Sequence, residues 1–164
     1  MKTTSAGWNK ALFLWAVVSF LCMLVIFLAS SQAAEDSGRL SGSLARMIFG
    51  TIWRWFAPSG QEIQPPVLKA LEVLLRKAAH LFLYFLLGFC AASTIRQKTG
   101  IRRRVFLISL CWCSFFAATD EFHQFFVPGR SGMWQDWLLD TVAASLGIAT
   151  VVFLIMRKKI KRQI

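Results

Sequence analysis

Four long apolar stretches decide what this chain can become. They fall at about 11–30, 78–96, 104–120 and 137–156, and the first holds no charged residue. A helix needs roughly 20 apolar residues to cross the hydrocarbon core of a bilayer. The first and fourth stretches meet that length outright, and the second and third meet it with their polar ends counted. The expected fold is therefore all-α: an integral membrane bundle of four transmembrane helices, in one domain spanning residues 1–164. Composition agrees, because 56% of the 164 residues are hydrophobic and 16% are charged, where a soluble domain would carry about 25% charge.

The first stretch has a competing reading. Lys2 and Lys10 resemble the basic start of a secretory signal, and Ser31, Gln32 and Ala33 offer a small-residue step for cleavage. The apolar run is longer than a signal core and carries Trp and several Phe, so an uncleaved first helix is expected.

Between the first two spans, residues 35–38 read as a loop. Residues 44–56 (LARMIFGTIWRWF) read as a short amphipathic helix lying in the membrane interface, or one packed on the outer end of the bundle. Residues 58–66 read as a linker. Pro65 and Pro66 suit the first turn of a helix that then runs unbroken over 67–96. Further on, residues 121–136 read as a re-entry loop in which Pro128-Gly129 makes a turn and presents Arg130. Asp136 suits the first turn of the last helix, where its charge favours the helix dipole. The basic tail covers 157–162.

The net charge is +11. In a soluble protein that would suggest nucleic acid, but most of these cations flank apolar runs, where the positive-inside bias and anionic head groups explain them; no nucleic-acid partner is expected. With four spans, the N-terminus, the second loop and the tail share one side and carry 12 of the 19 Lys and Arg, leaving 7 for the other side. Both termini are thus expected in the cytoplasm, with segments 32–77 and 121–136 outside it. In intact cells, a cysteine at Ser59 should react with an impermeant thiol reagent and one at Thr99 should not. The reverse pattern would invert the orientation.

Every unusual polar residue then falls at the same, outer end of the bundle. Arg76, His80 and Tyr84 repeat at i, i+4, i+8 on one helix face. Asp120 and Glu121 close the third span, with His123 and Gln124 just beyond, and Asp136 and Asp140 are four apart at the start of the fourth. Charges at membrane depth are costly unless they face the bundle interior and pair. Four carboxylates meeting Arg76, Lys77, Arg130 and two histidines suggest mutual pairing. A structural ion-pair network is the bland reading, and Tyr84 has one of its own as an interfacial belt residue. A divalent metal near Asp120 and His123 is disfavoured by the surrounding cations, so neither a metal site nor a cofactor is expected. Cys22, Cys90, Cys111 and Cys113 all lie in apolar runs and read as free thiols. Cys111 and Cys113 are two apart and so lie on different helix faces.

The segments RKAAHLFLYFLLG (76–88), DEFHQFFVPGRSGMWQD (120–136) and LLDTVAASLG (138–147) resemble the VanZ-like membrane protein family. Ser30, Ser31 and Gln32 at the end of the first span fit it too, and the likeness covers nearly the whole chain in order. Asp140 departs from it, since the family often has Asn there. The resemblance implies a multi-pass protein of the bacterial cell membrane, in a family whose founding member is associated with teicoplanin resistance. Two functions then stand open. One is a binding protein that holds an anionic group of a membrane lipid, a lipid-linked cell-wall precursor or a lipoglycopeptide. In it Arg76, Lys77 and Arg130 act as donors, and Tyr84, Asp120, Gln124, Asp136 and Asp140 complete the pocket. The other is an intramembrane enzyme acting on a lipid-linked phosphate or head group, with His80 or His123 as acid–base and Glu121 as orienting carboxylate. No hydrolase motif such as G-x-S-x-G or H-E-x-x-H is present.

Overall fold

The computed structural model describes residues 10–57 and 63–160. Lys2, Ser59, most of the linker reading at 58–66 and the end of the basic tail lie outside these residues. The described chain forms five helices: α1 (Lys10–Ser30), α2 (Ala34–Phe56), α3 (Pro65–Lys98), α4 (Arg102–Gln124) and α5 (Trp134–Ile160). Four of them, α1, α3, α4 and α5, are long and apolar enough to cross a membrane. Their outward faces carry Phe13, Phe20, Leu28, Trp112, Phe115 and Leu146, all well exposed. In lipid such a face needs no further cover, because the solvent is itself apolar.

Small residues hold the bundle together. α3 and α5 share the most extensive contact, and α1 packs on α3. A Cβ on Gly88 would overlap the backbone carbonyl of Ala144, and one on Gly147 would overlap that of Phe85. The two helices therefore meet backbone to backbone, as glycine permits in membrane bundles. One buried cluster gathers Ile26, Tyr84, Leu87, Cys113, Ala117 and Ala144, and a second gathers Ala92, Val105, Ile148 and Val151. α3 starts with prolines at its first positions and runs unbroken, as the sequence suggested, though where 67–96 was expected it covers Pro65–Lys98, 34 residues. At 1.5 Å per residue that is about 51 Å, well beyond the hydrocarbon thickness.

Two expectations need correction. Residues 35–38 are helical, not loop, because α2 starts at Ala34. Gly38 from that stretch lies on its contact face with Ser41 and Gly42: a Cβ on Gly38 would come within 3.2 Å of Glu72 Oε1, one on Gly42 within 3.1 Å of Glu72 Oε2, and Ser41 Oγ lies 3.4 Å from Glu72 Oε1. α2 thus packs on the first third of α3, with Glu72 between them. The re-entry loop is also shorter than expected. α4 runs on through Gln124 and α5 begins at Trp134, so only 125–133 lie between them. The extra turn of α4 is held by its own side chains, described next.

Candidate functional site

The C-terminal ends of α1 and α4, the start of α5 and the middle of α3 meet at one end of the bundle. Between α3, α4, α5 and the 125–133 turn they enclose a cavity of about 230 Å³. Arg76, Lys77, His80, Glu121, Gln124, Arg130, Asp136 and Asp140 all line it. Eight of the eleven side chains expected at the site therefore share one cavity. Asp120 and Tyr84 lie just beneath, and His123 lies elsewhere.

The floor is acidic. His80 Nε2 sits 3.3 Å from Asp140 Oδ2 and 3.5 Å from Asp120 Oδ2, at ion-pair range but aligned as a hydrogen bond to neither. Asp120 Oδ2 also accepts from Ser30 Oγ at 2.8 Å and from Gln124 Nε2 at 3.4 Å. Its other oxygen, Asp120 Oδ1, is buried and unpartnered. Asp140 is 2% exposed and accepts no hydrogen bond from any described residue. The ring of Tyr84 lies 5.2 Å from that of His80, one turn down α3, and its hydroxyl is buried and unpartnered. Tyr84 is fully buried, which removes the interfacial-belt reading.

Glu121 organises the wall. Its Oε1 accepts from Gln124 Nε2 at 3.0 Å and its Oε2 from the Met133 backbone N–H at 2.9 Å. Gly132 lets this happen, because a Cβ there would overlap the Glu121 carbonyl. Glu121 therefore fastens the turn onto α4. The turn has the predicted shape: Gly129 has a φ of 73°, and the Arg130 N–H donates to the Val127 carbonyl at 3.1 Å. Asp136 lies in the first turn of α5, also as predicted.

The expected general pairing of carboxylates with cations is not what forms. Among the described residues only Lys77 and Asp136 make a Lys or Arg pair with a carboxylate, at 2.7 Å. Arg130 instead donates from Nε to the Gln32 carbonyl and from Nη2 to the Ala29 carbonyl, each at 3.0 Å. It caps the C-terminal end of α1, where orphan carbonyls and the helix dipole favour a cation. Burial first, and then the charge of nearby Arg76, draw the Arg130 guanidinium below its ordinary pKa, against the pull of Asp120 and Glu121. Arg76 makes no hydrogen bond or ion pair with any described residue, and it faces the cavity.

His123 does not join the site. Its ring stacks on Phe27 at 4.7 Å and its Nε2 lies 3.1 Å from Ser31 Oγ, so it braces α4 against α1. A place for it in the cavity as acid–base or metal ligand is lost, because Phe27 and Ser31 of α1 take up its ring. Among the described residues, no three His, Cys, Asp or Glu side chains are grouped to hold a metal ion. The cysteines are free, with Cys111 exposed and Cys113 buried, on different faces as their spacing required.

Ser30, whose hydroxyl reaches Asp120, and Met133, whose N–H holds Glu121, were not singled out as site residues. For Ser30 the sequence signal was its place in the Ser30-Ser31-Gln32 ending. For Met133 there was none, since a backbone donor has no side-chain signature.

The model of the VanZ/LLP1 family matches residues 15–157. The chain belongs to that family. The matched region contains every cavity residue and reaches into all four long apolar helices, so this VanZ-like chain is a multi-pass membrane protein. No curated protein and no solved structure gives a significant match.

Proposed function

We propose that this VanZ-like protein binds a small anionic group of a membrane-borne molecule in the cavity, from the outer face of a bacterial plasma membrane. The observation that carries this is the state of its arginines. Two guanidiniums share one small space, neither is matched to a carboxylate, and Arg76 has no protein partner among the described residues. An anion between them would relieve their repulsion and supply the acceptors that the protein does not. The outward orientation rests on the Lys and Arg distribution, which assigns both termini to the cytoplasm. α2 suits the interface, with Trp55 and Phe56 each 84% exposed beside Arg54.

Size narrows the ligand. Pockets for drug-sized molecules run from about 300 Å³ upward, and this one is smaller. It fits a phosphate-bearing head group of a lipid or lipid-linked wall precursor, not an entire lipoglycopeptide. Tolerance to teicoplanin would then arise indirectly, through the envelope molecule that is held.

The test is a titration of the purified protein in mild detergent with short-chain phosphatidylglycerol. Charge-assisted hydrogen bonds contribute about 1.5–3 kcal/mol, so Arg76→Gln should weaken binding about 10- to 100-fold while leaving thermal stability unchanged. Equal affinity in wild type and variant would overturn the assignment.

A second reading keeps the same cavity and adds chemistry. His80 opens onto it within 3.5 Å of two carboxylates, which is the arrangement a general acid–base group needs. Under this reading His80→Gln retains head-group binding and abolishes turnover of a phosphate-linked lipid. Undiminished turnover in that variant would dismiss it.

A further inference from the structure

The cavity has two unlike ends, and the anion accounts for one of them. Arg76 stands at the upper end, and His80, one helical turn further along α3, leads down to Asp140. The other carboxylates that line the cavity are already engaged. Asp136 is matched by Lys77, and both oxygens of Glu121 accept hydrogen bonds. Asp140 accepts none, although it is 2% exposed and lines the cavity. Among the described residues, the only titratable cation at ion-pair distance from it is His80, which it shares with Asp120. Even a protonated His80 leaves one of those two carboxylates without a counter-charge. A buried carboxylate without donors is costly, so this end needs a ligand that brings a positive charge and N–H groups.

We propose that the cavity is a zwitterion site: it takes a phosphate and a primary ammonium joined by a short chain, with the phosphate at Arg76 and the ammonium at Asp140. The inference rests on the anion-binding reading above and names the ligand class for that site. Arg76 and His80 lie four residues apart on α3, about 6 Å of helical rise, and His80 Nε2 lies 3.3 Å from Asp140 Oδ2. A phosphoethanolamine group, with two carbons between its charged ends, is of that scale and suits a cavity of about 230 Å³. An ammonium there would donate to the Asp140 carboxylate, whose Oδ2 already faces His80. A choline group could offer charge but no N–H.

The experiment compares short-chain phosphatidylethanolamine, phosphatidylcholine and phosphatidylglycerol on the full-length protein in mild detergent. Wild type should bind phosphatidylethanolamine at least 10-fold more tightly than either of the others. Asp140→Asn should erase that preference, so that phosphatidylethanolamine binds no more tightly than phosphatidylglycerol. Arg76→Gln should weaken all three alike. A wild type that binds phosphatidylglycerol as tightly as phosphatidylethanolamine overturns the zwitterion site and leaves the anion reading standing, whereas Arg76→Gln with undiminished affinity for all three overturns both. The wild-type comparison alone decides the matter if Asp140→Asn does not fold. Competition by free phosphoethanolamine identifies a soluble ester as the source, and its failure to compete at matched concentration identifies a lipid head group; either supports the site.

Discussion

Gly88→Val is expected to abolish the folded, monodisperse protein. The Cβ it adds would overlap the Ala144 carbonyl, and on the facing helix Gly147 lies equally close to Phe85. The obstruction is backbone on both sides, so no rotamer change can relieve it, and α3 and α5 must separate along their whole contact. Overpacking a core typically costs about 1–3 kcal/mol, and a rigid obstruction belongs at or above the top of that range. This is a large share of the roughly 5–15 kcal/mol that holds a typical domain together. Gly50→Ala is the control, because a Cβ there meets nothing within 4 Å. It should be neutral or stabilise by about 0.5–1 kcal/mol, as glycine does poorly inside a helix. Size-exclusion chromatography and thermal unfolding in detergent read both. A Gly88→Val protein that elutes and melts like wild type would show that α3 and α5 do not meet as described.

Arg130→Lys separates two roles for this arginine. A residue used only to grip an anion would lose ligand affinity on conversion to lysine and keep its thermal stability. The two bonds from Arg130 to the Ala29 and Gln32 carbonyls imply something else. A lysine has one point of charge and cannot serve both oxygens in the planar geometry of the fork. Hydrogen bonds to a charged group contribute about 1.5–3 kcal/mol each. The Gln32 bond is exposed, so the pair together is expected to contribute about 1–3 kcal/mol. Arg130→Lys should therefore lower the melting temperature, and Arg130→Ala should lower it further and expose the α1–α2 junction to protease. An unchanged melting temperature in both variants would return Arg130 to a pure ligand-binding role.

The spans were legible because apolar length is a one-dimensional signal. The polar face of α3 was legible for a similar reason, since Arg76, His80 and Tyr84 repeat at helical period whatever surrounds them. Other features were misread for physical reasons. Residues 35–38 look like a loop by composition, but in a helix Gly38, together with Ser41 and Gly42, lets α2 approach Glu72 closely. Residues 121–124 looked like the start of a loop because they are polar. They remain helical because Glu121 and Gln124 satisfy each other and the Met133 N–H within the bundle. His123 shares their stretch of sequence but points to α1, as its place on the helix dictates.

The sequence by itself determined that this chain is a four-span helical membrane bundle with its carboxylates and histidines gathered at one end, because hydropathy and helical spacing act locally along the chain. Which of those charges pair was decided only by the tertiary structure. Lys77 takes Asp136, Arg130 turns away to the carbonyls of α1, and of the two left facing the cavity Asp140 shares His80 with Asp120 while Arg76 has no partner among the described residues. Pairing depends on distances between side chains up to about a hundred residues apart. Those distances are set by where the glycines of α3 and α5 let two backbones touch, and no local pattern encodes them.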